Sequence, residues 1–245
     1  MKHLFLCLLL TSISFSAFTQ KISPEQQEKL ITKLINQQVR QHISIQQSVG
    51  TILKHYPEKV DLVLKAALAS YPSKYRQIML GAIRAEPALT CDVVDILLNT
   101  DIAKHQEIVS IAIDAEPAYA KEIVAIAARH NPTEIANIIT VAINTEPFVS
   151  DSIVDNSMLS YPGKMLDILS AAIIALPDQV VNLVKGTLTL FPEESKEVVT
   201  TAISSSHSQH SRAIVNAAIS SGVSEESAIA AAIAGGANQE ALAKK

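Results

Sequence analysis

The sequence predicts an all-α fold, a right-handed α-solenoid of short antiparallel helices, about 13–14 of them. Three observations carry that expectation. Nine of the ten prolines fall on one fifteen-residue grid: Pro57, Pro72, Pro87, Pro117, Pro132, Pro147, Pro162, Pro177 and Pro192, with Ile102 in the one skipped place. With the proline as column one, columns seven, eight and twelve are large apolar residues in nearly every unit, as at Ile138, Ile139 and Ile143. Column eleven is mostly alanine, at Ala67, Ala82, Ala112, Ala127, Ala142, Ala172 and Ala202. Columns four, seven, eight, eleven and twelve give the i, i+3, i+4, i+7, i+8 stripe of an amphipathic helix, and period-two alternation is absent.

The ends of each unit follow from proline chemistry. Proline suits the first helical position, where its missing N–H would be unsatisfied anyway, and its ring drives the preceding residue out of the helical region. The expectation is about twelve helical residues and a turn of two or three. Helices that short are marginal alone in water, so each must lean on its neighbours. The small residue in column eleven lets helix axes approach, while the branched columns fill the flanks.

Residues 1–19, with a basic start and an apolar run from Leu4 to Leu10, read as a cleaved signal peptide. That run is too short for a stable span, and the mature chain is expected to be soluble. Location is therefore periplasmic or secreted, in a bacterial envelope. Residues 20–41 read as an N-terminal capping helix with Ser23 as N-cap, Pro24 next, and Leu30, Ile31, Leu34 and Ile35 as its apolar face. The repeat domain covers 42–236, beginning with a unit that lacks proline but places Ile45, Val49, Ile52 and Leu53 in core columns. Tyr56, Tyr71, Tyr161 and Phe191 stand just before prolines, positioned to staple onto the following turn.

Three units depart from the pattern, at Leu97, at Asn156 with Ser157, and at Thr187, and each is a candidate bend. After Pro192 the grid slips by one residue: the core returns as Ile214, Val215, Ala218 and Ile219, with the serine-rich stretch before it taking up the extra residue. The next unit regains the grid with Ile229, Ala232 and Ile233 and ends at Gly235 and Gly236, leaving 237–245 as a tail that is partly helical or frayed.

The chain resembles the α-solenoid superclass of tetratricopeptide and HEAT arrays in general plan. Their signature residues are absent and this unit is shorter, so the resemblance implies a fold and no particular activity.

Chemistry-bearing motifs are missing: no GxSxG, no phosphate-cradling glycine loop, no HExxH and no EF-hand pattern. No enzyme activity, cofactor or metal is expected. His207 and His210 read as a polar turn, and His55, His105 and His130, separated by one or more whole helices, are not expected to form a ligand cluster. Once Cys7 is removed, Cys91 is expected as a half-buried, inert thiol. A net charge of −4 argues against nucleic acid. Outward-facing column six is the candidate interaction surface: Asp92, Glu107, Glu122, Asn137, Asp167, Asn182 and Glu197. The function that follows is a non-enzymatic scaffold for an unspecified protein partner. The alternative is a peripheral lipid-binding protein, which the alanine-centred apolar face and acidic polar face disfavour.

Overall fold

The computed structural model describes residues 23–239 and 242. The expected signal peptide lies outside them, as do residues 240, 241 and 243–245 of the tail. Among the described residues the chain forms fourteen α-helices and no strand. They are α1 (Pro24–Arg40), α2 (Ile45–His55), α3 (Val60–Ser70), α4 (Tyr75–Ala85), α5 (Thr90–Leu98), α6 (His105–Ala115) and α7 (Ala120–His130). There follow α8 (Ile135–Thr145), α9 (Ser150–Ser160), α10 (Met165–Ala175), α11 (Val180–Leu190), α12 (Ser195–Ser205), α13 (Ser211–Ser220) and α14 (Glu225–Ala234).

The junction between units is tighter than the expected turn of two or three residues. Each grid proline opens a three-residue 3-10 turn, as at Pro57–Lys59 and Pro132–Glu134, and the α-helix follows directly. One residue, the one before the proline, is all that separates consecutive helical runs. Steric clash with the proline ring holds it out of the helical region, at φ −137° and ψ 61° for Tyr56 and φ −147° and ψ 90° for Glu86. Its two backbone groups serve both sides. The Tyr56 N–H closes α2 on the Ile52 carbonyl at 2.9 Å, and the Tyr56 carbonyl accepts from Lys59 N–H at 3.0 Å. So short a link does not give a full reversal: Pro147–Ser160 and Pro162–Ala175 change direction by 115°.

Where proline is missing the link is built differently. Ser44 and Ser224 cap α2 and α14 through side-chain oxygens that accept from Gln47 and Ser227 N–H, both at 3.2 Å. The preceding turns pass through left-handed residues, His42 at φ 66° and Gly222 at φ 97°. Before α6 the link runs from Asn99 to Lys104 and α5 is cut to nine residues. The slip near the C-terminus is real: α13 begins at Ser211, sixteen residues after Ser195, and α14 begins at Glu225, fourteen further on.

Odd-numbered helices pack on one another to form one layer, and even-numbered helices form the second. The core lies between, and every residue of columns seven, eight and twelve from Val63 to Ile203 is buried. Layer membership also sorts column eleven. In the even layer it is alanine from α4 onward (Ala82, Ala112, Ala142, Ala172, Ala202, Ala232), each fully buried. The departures Leu97, Ser157 and Thr187 all fall in the odd layer.

Three expectations need correction. Leu30 and Leu34 are 55% and 42% exposed, because α1 turns only its Ile31 and Ile35 side toward α2 and α3. Tyr56 is exposed, whereas Tyr71, Tyr161 and Phe191 pack on the core. Ile219 and Ile233 are also exposed, each on the side of its helix away from the core. Leu242, the one described residue beyond 239, is buried in the core.

Candidate functional site

The column-six residues point outward, as the register requires, but the two layers divide them. Asp92, Glu122 and Asn182 belong to the odd layer, and Glu107, Asn137, Asp167 and Glu197 to the even. Several are locally satisfied. Glu107 accepts from the Tyr75 hydroxyl and pairs with Arg76 at 3.0 Å, and these hydrogen bonds, Tyr75 first, hold its carboxyl below the usual carboxylate range. Asp167 pairs with Lys164 at 3.1 Å, and Asn137 and Asn182 donate to Glu134 and Gln179 within their own helical turns. The seven are thus shared between two layers, as alternate helices require, and several are paired within or between helices.

Polar residues the sequence reading kept apart do meet at a seam within each layer. Column fourteen of one helix lies against column nine of the helix two before it. There His130 Nε2 contacts Asp95 at 2.8 Å, Thr145 donates to Ser110 at 3.2 Å, and Ser205 donates to Ser170 at 2.9 Å. His105 joins the first of these pairs, its ring edge-on to His130 with centroids 6.3 Å apart, and Arg129 lies 3.7 Å from Asp95. His105 and His130, separated by whole helices in the sequence, are thus neighbours in the stack. Among the described residues, no group of three His, Cys, Asp or Glu side chains is placed to hold a metal ion. Cys91 is half-buried, and burial, then Glu122 and Asp92, push its thiol up, away from the reactive thiolate. A slot of about 150 Å³ between α9 and α11 is lined by Asp151, Asp155, Asn182 and Gly186, and burial, then Asp151, raises the Asp155 carboxyl.

The layered fold sorts the inter-helix links onto two edges, because each link turns the chain back across the stack. The link that leaves α2, K-H-Y-P-E-K (54–59), carries Lys54 and Lys59 against Glu58, and those that leave the even helices α4, α6, α8 and α10 are R-A-E-P-A-L (84–89), D-A-E-P-A-Y (114–119), N-T-E-P-F-V (144–149) and I-A-L-P-D-Q (174–179). Those four hold five carboxylates, Glu86, Asp114, Glu116, Glu146 and Asp178, against one cation, Arg84. Among the described residues, none of the five forms a salt bridge. Links on the other edge (69–74, 99–104, 129–134, 159–164 and 189–194) hold four acids and four lysines or arginines, and so balance. Sequence reading paired the fifteen-residue units into thirty-residue hairpins but missed this asymmetry because it did not compare the charges of alternate links. The signal was a thirty-residue period, the Glu-Pro pairs at 86, 116 and 146.

The three most exposed large apolar side chains fall in one pair of consecutive units. Phe148 is 96% exposed, Ile174 64% and Leu159 60%. Equivalent positions elsewhere are polar or small, such as Glu58, Ala118 and Thr133 for Phe148, or Arg84, Asp114 and Asn144 for Ile174 and Leu159. Of the two helices, α9 buries Ser150 and Ser157 where most units bury aliphatic residues or alanine, whereas the buried residues of α10 are all apolar. Phe148 and Ile174 lie on the acidic edge, and Leu159 on the balanced one. The unit of α9, with Phe148 and Leu159 outward, is thus more polar inside and more apolar outside than the rest of the array, a local conflict with folding of the kind that marks functional positions.

No protein-family model, curated protein or solved structure matches the chain.

Proposed function

We propose that this chain is a non-enzymatic helical-repeat scaffold for protein–protein interaction, exported to the bacterial envelope or beyond. The observation that carries the reading is Phe148, almost wholly exposed on one edge of a well-packed stack, in the link between α8 and α9, where other units place polar or small residues. Covering such a side chain on a partner is worth roughly 1.5–3 kcal/mol. The fold supports the reading in a second way. Repeat packing consumes the inner columns and leaves the links and outer columns free to vary. Export rests on the sequence of residues 1–19.

The same exposed apolar residues favour a second reading, attachment to a lipid surface. Among the described residues no single helix is long and apolar enough to cross a bilayer, although the bent pair Pro147–Ser160 and Pro162–Ala175 together would pass on length and composition. Against that reading, Leu159 sits on the opposite edge from Phe148 and Ile174, so the three do not enter one plane. The acidic edge would also be repelled by anionic lipid. Circular dichroism and sedimentation with phosphatidylcholine–phosphatidylglycerol vesicles separate the two. The scaffold should be fully helical in plain buffer and stay in the supernatant. Helicity that rises strongly on adding vesicles would replace it with the lipid reading. N-terminal sequencing of the same preparation from native cells should find a start between Phe18 and Lys21, and a retained Met1 would remove the exported part.

A further inference from the structure

The edge that carries Phe148 has a charge and a spacing that specify its occupant more closely than "a protein". Glu86, Glu116 and Glu146 stand at equivalent positions, each just past the end of successive even-layer helices α4, α6 and α8. Helices packed side by side in a layer lie about 8–10 Å apart, so these carboxylates recur at roughly that interval along the edge. Phe148 follows Glu146 by two residues. Ile174 ends α10, the next helix of the same layer, which packs on α8. Glu146 takes the Phe148 N–H on one carboxylate oxygen at 3.3 Å, which holds the carboxylate close to the residue that carries the exposed ring. The edge is therefore an unpaired acidic row with an apolar step at one end.

We infer that this edge binds an extended, basic segment of a partner protein, with lysine or arginine at about every third residue and an apolar side chain at one end. An extended segment of polyproline-II type advances about 3.1 Å per residue with three residues per turn, so every third side chain stays on one face and, at about 9 Å spacing, meets the next helix of the layer. Charge complementarity selects the basic partner, and the exposed ring of Phe148 with the Ile174 side chain supplies the apolar anchor. An acidic or purely apolar segment matches only part of the edge. The inference rests on the scaffold reading and narrows it.

The test is fluorescence anisotropy with the full exported chain and a labelled peptide of about twelve residues, lysine at every third position and leucine at one end, made in both sequence orders. Binding of one order should weaken about tenfold between low and physiological salt. It should also weaken about tenfold in Phe148→Ser and in the Glu116→Gln/Glu146→Gln double variant. The double variant Asp92→Asn/Glu122→Gln, which changes only column six, should bind like the parent. All five substituted positions lie outside the buried core, and helicity of each variant checks that it is folded. Equal binding of a peptide with glutamate in place of lysine, or indifference to the edge variants, overturns the inference. If neither the lysine peptide nor vesicles bind, this inference falls while the scaffold reading stands. If Phe148→Ser instead abolishes binding to vesicles, both fall.

Discussion

At the scale of single residues, the best-defined polar contact between neighbouring even-layer helices is the Tyr75–Glu107–Arg76 group. Tyr75 and Arg76 belong to α4 and Glu107 to α6, so the group ties two units together rather than decorating one. Glu107 has its carboxyl held below the ordinary value of 4.5, first by the Tyr75 hydroxyl and then by Arg76. A carboxyl whose folded pKa is depressed contributes stability that is present above its unfolded pKa and is lost as the pH falls through its folded pKa. Both Arg76 and Glu107 are partly exposed, so solvent screens the pair and the effect is modest. The expected outcome is that Tyr75→Phe, which removes the larger cause, lowers the urea midpoint at pH 7 but little below the folded pKa. Urea titrations of parent and variant at neutral and acidic pH check it. A midpoint difference that stays constant with pH would mean the tyrosine acts by packing alone.

At the scale of the element, helix spacing is set by how little side chain stands between axes. The tightest case is α2 against α4, where a Cβ placed on Gly81 would lie 2.5 Å from the Gln46 carbonyl oxygen and one on Gly50 3.0 Å from the Gly81 carbonyl oxygen. Backbone cannot yield as a flexible side chain can. Gly81→Ala should therefore destabilise by about 1–3 kcal/mol through overpacking, despite the better helix propensity of alanine. Gly163, in the 3-10 turn before α10, meets nothing within 4 Å of its added Cβ, and Gly163→Ala should be neutral or stabilising by up to about 1 kcal/mol. Thermal denaturation of the two variants ranks them, and the reverse order would show that α2 and α4 are not in van der Waals contact through their backbones. Such close approaches mark the limit of what the sequence discloses about an element. Columns seven, eight, eleven and twelve were legible because burial enforces a 3.6-residue period, and the structure buries every one of those columns from Val63 to Ile203. The one-residue link was less legible, because a proline signals a break without giving its length. The pairing of His130 with Asp95 was illegible in a unit read alone. It depends on a 35-residue offset that exists only once the helices are stacked.

At the scale of the whole molecule, the fifteen-residue unit is not the unit of symmetry. Two consecutive units differ in layer, in the edge reached by their links, and in the freedom of column eleven, so the true repeat is thirty residues. Deleting Pro117 to Glu146 removes α7 and α8 and joins Glu116 to Pro147, which recreates a Glu-Pro link of the kind already present. Every later helix keeps its layer. The cost is local: His130 no longer meets Asp95, and Ser160, at the equivalent position of α9, takes its place. Deleting only Pro117 to Asn131 moves α8 into the place of α7 and transfers every later helix to the opposite layer. Ile135 would then occupy the buried site of Ala120, and the invariant alanines of the even layer would face partners shaped for Leu97 or Thr187. The later links would exchange edges as well, bringing Glu193 and Glu194 onto the side of Glu86 and Glu116. Nearest-neighbour energetics then predicts a shorter protein with a single cooperative urea transition for the thirty-residue deletion, its slope reduced in proportion to the surface lost. The fifteen-residue deletion should unfold at lower urea or in two steps, although it removes half as many residues. If circular dichroism finds it the more stable of the two, the layers are interchangeable and the thirty-residue repeat is only a feature of the sequence.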